Sequence, residues 1–230
     1  MPDRPPDGRP AWVAFHFDVM CPWAYQASVW IRAVRDQVPL EIDWRFFSLE
    51  EINRVEGKKH PWERRWSYGW GMLRVAALLR RSSMDDCDRF YAVAGHALHV
   101  EGRKPHRPEV AAELLASIGL DPGLVDAAIA DTTTHDDVHR DHDEVVRHGG
   151  FGVPTLVFDD GSHLYGPVMT PPPAGDDALA LWDLVLATRR FPRLYELKRP
   201  KTDADMAFIA DQFAPYLSAR DWQTREKPAR

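Results

Sequence analysis

Period-two alternation of apolar residues is confined to the two ends of this chain, and that distribution limits the folds open to it. Near the start, Trp12-Val13-Ala14-Phe15-His16-Phe17 and Leu40-Glu41-Ile42-Asp43-Trp44-Arg45-Phe46 read as strands. Between them, Trp23, Ala27, Trp30, Ile31 and Val34 recur at helical spacing, which predicts a helix over about 22–37. A crossover of that length favours parallel pairing, giving a β-α-β opening. Strand character then disappears for roughly a hundred residues. It returns at Pro154-Thr155-Leu156-Val157-Phe158, with a turn at Asp159-Asp160-Gly161-Ser162 and an answering strand at His163-Leu164-Tyr165.

The middle of the chain reads as helices over 62–81, 85–100, 108–118 and 123–148, punctuated by Gly102, Gly119 and Gly149-Gly150. Further helices are expected over 176–188 and 203–217. The expected fold class is therefore α/β, a small sheet domain over residues 11–52 and 149–218 interrupted by an all-helical insertion over 53–148. The polar, proline-rich residues 1–10 and the end, 219–230, are expected to be flexible tails.

A sulfur sits at the junction that the opening creates. Asp18-Val19-Met20-Cys21-Pro22-Trp23-Ala24-Tyr25 follows the first strand and starts the first helix. Backbone N–H groups left unpaired at a helix start, with the helix dipole, stabilise an anion there. The placement is expected to expose the thiol and lower its pKa. Pro22 fits the first helical turn. Ala24 stands where a Cys-x-x-Cys motif would carry its second thiol. The only other cysteine, Cys87, lies among Asp85, Asp86 and Asp88, which disfavour a thiolate, so it is expected to be structural. Asp18 either tunes the Cys21 thiol as a like charge or caps the turn, and the second reading is preferred.

The segment Gly152-Val153-Pro154-Thr155 puts a proline at a strand start after a glycine-rich turn, a position suited to a cis bond. Such a bond beside Cys21 would leave the Val153 backbone free to pair with an extended, thiol-bearing substrate.

These residues resemble a known family. Cys21-Pro22-Trp23 with Gly152-Val153-Pro154-Thr155, around a helical insertion, looks like the thioredoxin fold in its DsbA-like branch. Phe17-Asp18-x-x-Cys21-Pro22-Trp23, Ser48-Leu49-x-x-x-Asn53 and Trp70-Gly71-x-x-Arg74-Val75 narrow the likeness. With Gly166-Pro167-Val168, Leu181-Trp182-Asp183 and Glu196-Leu197-Lys198-Arg199, they are similar to the mycothiol-dependent nitroreductase group of actinobacteria. The likeness runs from Trp12 to about Lys201. It implies Cys21 as nucleophile, Pro22, Trp23 and Ala24 as the rest of the site motif, and Val153, Pro154 and Thr155 as substrate-binding. It also implies that Asn53 and Trp62 face the substrate.

The implied function is thiol–disulfide exchange with one protein thiol, an external low-molecular-weight thiol such as mycothiol being the co-substrate, and no tightly bound cofactor. A kappa-type glutathione transferase or 2-hydroxychromene-2-carboxylate isomerase-like enzyme fits the same scaffold, as does a non-catalytic binding module.

Composition trims the remaining classes. A formal charge of −6 gives no support to a general nucleic-acid surface. No run approaches the ~18 apolar residues of a membrane span. No apolar signal segment opens the chain and no disulfide framework is present, so a cytoplasmic protein is expected; a homodimer is left open. His135, His139 and His142 fall at i, i+4 and i+7, but charged neighbours point to a solvated helix face and no metal site is expected. Trp62, Trp66 and Trp70 are expected on one helical face, as core or as a wall of a pocket over Cys21 with Trp23.

Overall fold

The computed structural model describes residues 10–221. Strand β1 (Trp12–Phe17) leads into helix α1 (Pro22–Arg35) and strand β2 (Glu41–Phe46). A short helix α2 (Leu49–Ile52) and a 3-10 turn (Pro61–Glu63) precede α3 (Tyr68–Ser82) and α4 (Met84–His99). Helices α5 (Pro108–Ser117), α6 (Leu124–Ala130) and α7 (Thr134–Arg147) complete the helical block. The chain then re-enters the sheet as β3 (Thr155–Val157) and β4 (His163–Tyr165). It finishes with α8 (Gly175–Thr188), α9 (Asp203–Gln212) and α10 (Ala214–Ala219).

The sheet order is β2-β1-β3-β4. β1 and β2 pair in parallel, as the crossover through α1 requires, with Phe17 opposite Phe46. β3 joins β1 antiparallel, with Ala14 opposite Val157 and His16 opposite Thr155. That register carries the start of β3, where Pro154 stands, toward the end of β1 that leads to Cys21.

Three helices begin or divide where local chemistry overrides periodicity. The first expected helix of the block starts at Tyr68, so Trp62 lies in the 3-10 turn and Trp66 precedes the helix. The expected helix over 123–148 is split because the Asp131 carboxylate accepts the Thr133 N–H (2.9 Å) and hydroxyl (2.6 Å), a local turn that competes with the helical ladder. The expected helix over 203–217 stops at Phe213, and Pro215 sits in the first turn of α10, where its missing N–H is harmless.

One apolar core runs from the sheet into the helical block. The Tyr91 ring of α4 stacks on Phe17 of β1 at 3.9 Å between centroids, and Trp44 of β2 meets Tyr91 edge-on. Arg32 and Arg35 of α1 both reach the buried Asp88 of α4, each at 2.6 Å. On the other side, Trp30 donates to the Ala178 carbonyl at 3.0 Å and ties α1 to α8. At the inner edges of the expected tails, Pro10 is buried, Ala219 is buried at the end of α10, and Asp221 is ion-paired to Lys104. Residues 1–9 and 222–230 lie outside the described residues. No helix among the described residues is long and apolar enough to cross a membrane.

Candidate active site

Cys21 is the N-cap of α1, with φ −91° and ψ 113°, and Pro22 occupies the first turn. Its sulfur accepts the Ala24 N–H at 3.4 Å and donates its hydrogen to the Val153 carbonyl at 3.4 Å. The Val153–Pro154 peptide bond is cis. Residues separated by more than half the chain thus meet at one sulfur atom. Ala24, one turn into the helix, is fully buried and places a methyl group where a second thiol would stand.

The thiol is not the exposed, acidic group that its position at a helix start leads one to expect. Cys21 is only 5% exposed. It belongs to a small apolar cluster with Ala24, Phe47 of the β2–α2 connection, Val145 of α7 and Val153, against which Trp23, Leu49 and Ile52 pack. Burial pushes its pKa up to about 12; the Ala24 N–H pulls down and the nearby Asp18 pushes up again. In this closed arrangement desolvation outweighs the helix terminus, and the sulfur is a protonated donor.

Asp18 is buried and braces two segments at once. One carboxyl oxygen accepts the Met20 N–H at 2.9 Å and the other the Leu49 N–H at 2.7 Å. It therefore shapes the turn into Cys21 and anchors the start of α2, as the capping reading requires. Burial pushes its pKa up to about 7 against the pull of those two N–H groups. Helix α3 presses against it at Gly69, where an added Cβ would lie 2.8 Å from the Asp18 Oδ1.

Trp23 and Trp62 have different aromatic neighbours. Trp23 meets Phe213, at the α9–α10 junction, edge-on at 4.7 Å. Trp62 stacks on His60 at 4.2 Å and touches Trp70 and His139. Trp66 donates to the His106 carbonyl at 2.6 Å, and since Trp62 and Trp66 both precede α3 the three tryptophans are not a stripe on one helix. Asn53 is the exposed C-cap of α2, and its amide donates to the Leu49 carbonyl at 2.9 Å. Thr155 is buried and donates to the Gly152 carbonyl at 2.8 Å, fixing the loop before β3.

The histidine row of α7 is not a solvated face. His142 is buried, accepts the Ser48 N–H on Nδ1 at 3.2 Å and lies against Phe47. His135 accepts the Trp70 indole N–H at 2.8 Å, and His139 meets Trp62 and Trp70 edge-on. Of the charged residues between them Asp136 and Arg140 are exposed, while Asp141 is buried and accepts the Phe46 N–H at 3.1 Å, so imidazoles and one carboxylate share the inner face. No group of three or more His, Cys, Asp or Glu among the described residues is arranged to hold a metal ion.

Phe47, Val145 and Phe213 were not singled out by sequence reasoning. Phe47 continues the alternation of β2 past its end, which was a readable signal. Val145 and Phe213 carry none, because only the tertiary arrangement brings α7 and α10 to Cys21 and Trp23.

A sheet of this order, a cysteine at the N-cap of the first crossover helix and a facing Val–Pro loop define a thioredoxin-fold protein of the DsbA-like type. The comparisons agree and go further. The family model "Rv2466c-like: Mycothiol-dependent nitroreductase Rv2466c" matches residues 20–199. The chain belongs to that family, one of thiol-dependent oxidoreductases. It is 59% identical over 210 residues to the uncharacterized protein Rv2286c of Mycobacterium tuberculosis, covering 91% of each chain.

Among solved structures it resembles the cytosolic disulfide reductase DsbM from Pseudomonas aeruginosa with GSH (TM-score 0.55, 18% identity, 76% of this chain and 99% of that one). It also resembles a 2-hydroxychromene-2-carboxylate isomerase (TM-score 0.56, 16% identity, 79% and 96%). A probable DsbA oxidoreductase from Streptomyces coelicolor is similar too (TM-score 0.53, 18% identity, 83% and 94%). At these identities the structural likeness speaks for the fold.

Proposed function

We propose that this protein is a monothiol oxidoreductase in which Cys21 forms a mixed disulfide or adduct and an external low-molecular-weight thiol of the mycothiol class releases it. The observation that carries this reading is the pairing of Cys21 with backbone partners only: the Ala24 N–H on one side and the Val153 carbonyl on the other. No second thiol shares the site. Cys87 is fully buried in the core, where burial pushes its pKa up to about 12.

On a disulfide, the Cys21 thiolate attacks one sulfur, forming the protein mixed disulfide and releasing the other half as a thiolate that takes up a proton. The thiolate of a second small thiol then attacks the mixed disulfide, leaving a new small-molecule disulfide and free Cys21. On a bound electrophile, the same sulfur forms an adduct. A small thiol cleaves it to the reduced product and leaves Cys21 in a mixed disulfide, which a further thiol resolves. The family membership supports mycothiol as that thiol.

The closed thiol must be unroofed first. A substrate that displaces Phe47 and Val145 lets water and its own polar groups reach the sulfur, and the N-terminus of α1 then favours the thiolate. Val153 and Pro154 supply the edge along which the substrate lies, and Pro22, Trp23 and Ala24 the helix end it meets. Thr155 holds that edge from behind. Asn53, on the exposed end of α2, and Trp62, in the turn beyond it, are positions for distal contacts. In this reading residues 11–52 and 149–218 form the redox unit, residues 53–148 form its roof, and the cytoplasm supplies the reducing thiol.

Two substitutions test it. Cys21→Ser is expected to abolish exchange with mixed-disulfide substrates; retained isomerase or transferase turnover would instead favour the enzymes that activate a cofactor thiol. Ala24→Cys is expected to release a Cys21 mixed disulfide without added thiol, because an internal resolving sulfur then exists.

A further inference from the structure

We propose that Phe151 and Tyr165 form a two-ring ledge beside Cys21 that seats the ring portion of an uncharged small thiol while its sulfur is joined to Cys21. This inference deepens the monothiol reading above and rests on it. The ledge flanks the loop that meets the sulfur. Phe151 stands two residues before Val153, whose carbonyl accepts the Cys21 hydrogen at 3.4 Å. Tyr165 lies opposite Thr155 in the β3–β4 ladder, and the next N–H, that of Gly166, donates to the Pro154 carbonyl at 2.8 Å. The two rings meet at 4.7 Å between centroids, tilted by 40°. Gly152 lies against Tyr165, since a Cβ added there would stand 3.4 Å from the ring.

Neither ring is buried in the core. Phe151 is 66% exposed and Tyr165 48%, and Val168 just beyond them is exposed as well. Scattered exposed apolar residues need no explanation, but two rings in contact beside the backbone partner of a nucleophile do. Phe151 is bracketed by Gly150 and Gly152, so its own loop offers it no side chain to pack on. Tyr165 also lies within electrostatic reach of the sulfur. Burial pushes its phenol pKa up, and a negative charge on Cys21 adds to that push. The ledge and the thiol therefore belong to one site.

Charge narrows the occupant. Charged residues make up 28% of the chain, yet residues 149–158 and 164–175 contain no Asp, Glu, Lys, Arg or His. A thiol that carries carboxylates finds no ion-pair partner in either segment. A thiol of the mycothiol class carries its cysteine on hydroxylated rings without a carboxylate. The C–H faces of such rings lie flat on aromatic faces while their hydroxyls stay in water, and the Tyr165 phenol offers a polar tip at the rim. Anchoring that portion holds the sulfur joined to Cys21 in place for attack. The thiolate of a second small thiol forms a new S–S bond to it, and the bond to Cys21 breaks. Cys21 leaves as a thiolate and takes up a proton, so the incoming thiol is oxidised and Cys21 is reduced.

The test is a ratio of rates of Cys21 adduct formation, read by intact mass on the full chain. One reagent is oxidised mycothiol, the other the disulfide of N-acetylcysteine amide, which is uncharged and lacks the rings. The parent chain is expected to react about tenfold faster with oxidised mycothiol. Phe151→Leu combined with Tyr165→Leu is expected to bring that ratio to within about twofold of one, whereas Tyr165→Phe alone keeps most of it. A ratio that the double variant leaves unchanged would overturn the ledge and leave the monothiol reading standing. So would a parent chain that reacts equally fast with oxidised glutathione, whose carboxylates the ledge cannot pair. A Cys21 that forms no adduct with any of the three disulfides would overturn both.

Discussion

At the scale of single residues, Cys21 and Asp18 determine what the site can do. Two buried groups of the same charge sign raise each other's pKa, so removing the carboxylate is expected to make the thiol more acidic. Asp18→Asn should move the pH profile of Cys21 alkylation by iodoacetamide to lower pH. It should also cost about 1–2 kcal/mol of stability, because an amide cannot accept from both Met20 and Leu49 N–H groups. An unmoved alkylation profile would show that Asp18 serves the turn alone. Val145→Ala removes part of the roof over the sulfur and is expected to speed alkylation several-fold while costing about 1 kcal/mol. Much of this site was legible beforehand. Cys21, the missing second thiol and the Val153-Pro154 segment follow from short motifs. The burial of the sulfur does not, since Phe47 and Val145 reach it only through the fold.

At the scale of elements, the helical block is fixed to the Cys21 turn and α1 by close backbone approach. Gly69 lets α3 touch the Asp18 carboxylate, and Gly95 lets α4 pass Tyr25, where an added Cβ would lie 2.6 Å from the ring. Gly69→Ala is therefore expected to destabilise the fold by about 2 kcal/mol or more, as overpacking against an immobile group does, and to disturb Cys21 alkylation. A thermal melt and the alkylation rate check both. Element types were readable because the shift from period two to period 3.6 is sharp at both ends of the block. Boundaries were less so. The break at Asp131 is a side-chain hydrogen bond, and α3 starts only after Ser67, its N-cap. The α7 histidines were misjudged because imidazole is polar enough to pass for surface and flat enough to pack on Trp62, Trp70 and Phe47.

At the scale of the whole molecule, buried imidazoles weaken the fold in acid, while the raised Asp18 carboxyl acts in the opposite sense between about 4 and 7. Burial pulls His16 of β1 down to about 3 and His99 of α4 down to about 4, while the unfolded chain titrates near 6.5. At these two groups the unfolded state binds more protons below that value, so their contribution to stability is lost as the pH falls from about 6.5 toward 4. His99 donates to the Val19 carbonyl at 2.8 Å, which makes it a poor site for a neutral replacement. His16→Phe removes one such imidazole from the buried face of β1. It should shrink the difference in melting temperature between pH 7 and pH 5, and an unchanged difference would exclude His16 as a source of acid sensitivity.

The proposed function rests on one small thiol entering a site where no second cysteine stands beside Cys21. Intact-mass analysis after incubation with oxidised mycothiol, followed by peptide mapping and then an excess of reduced mycothiol, examines that point directly. The expected result is one adduct on Cys21, none on Cys87, and full release by the added thiol. A protein that stays unmodified, or an internal bond between Cys21 and Cys87, would contradict it.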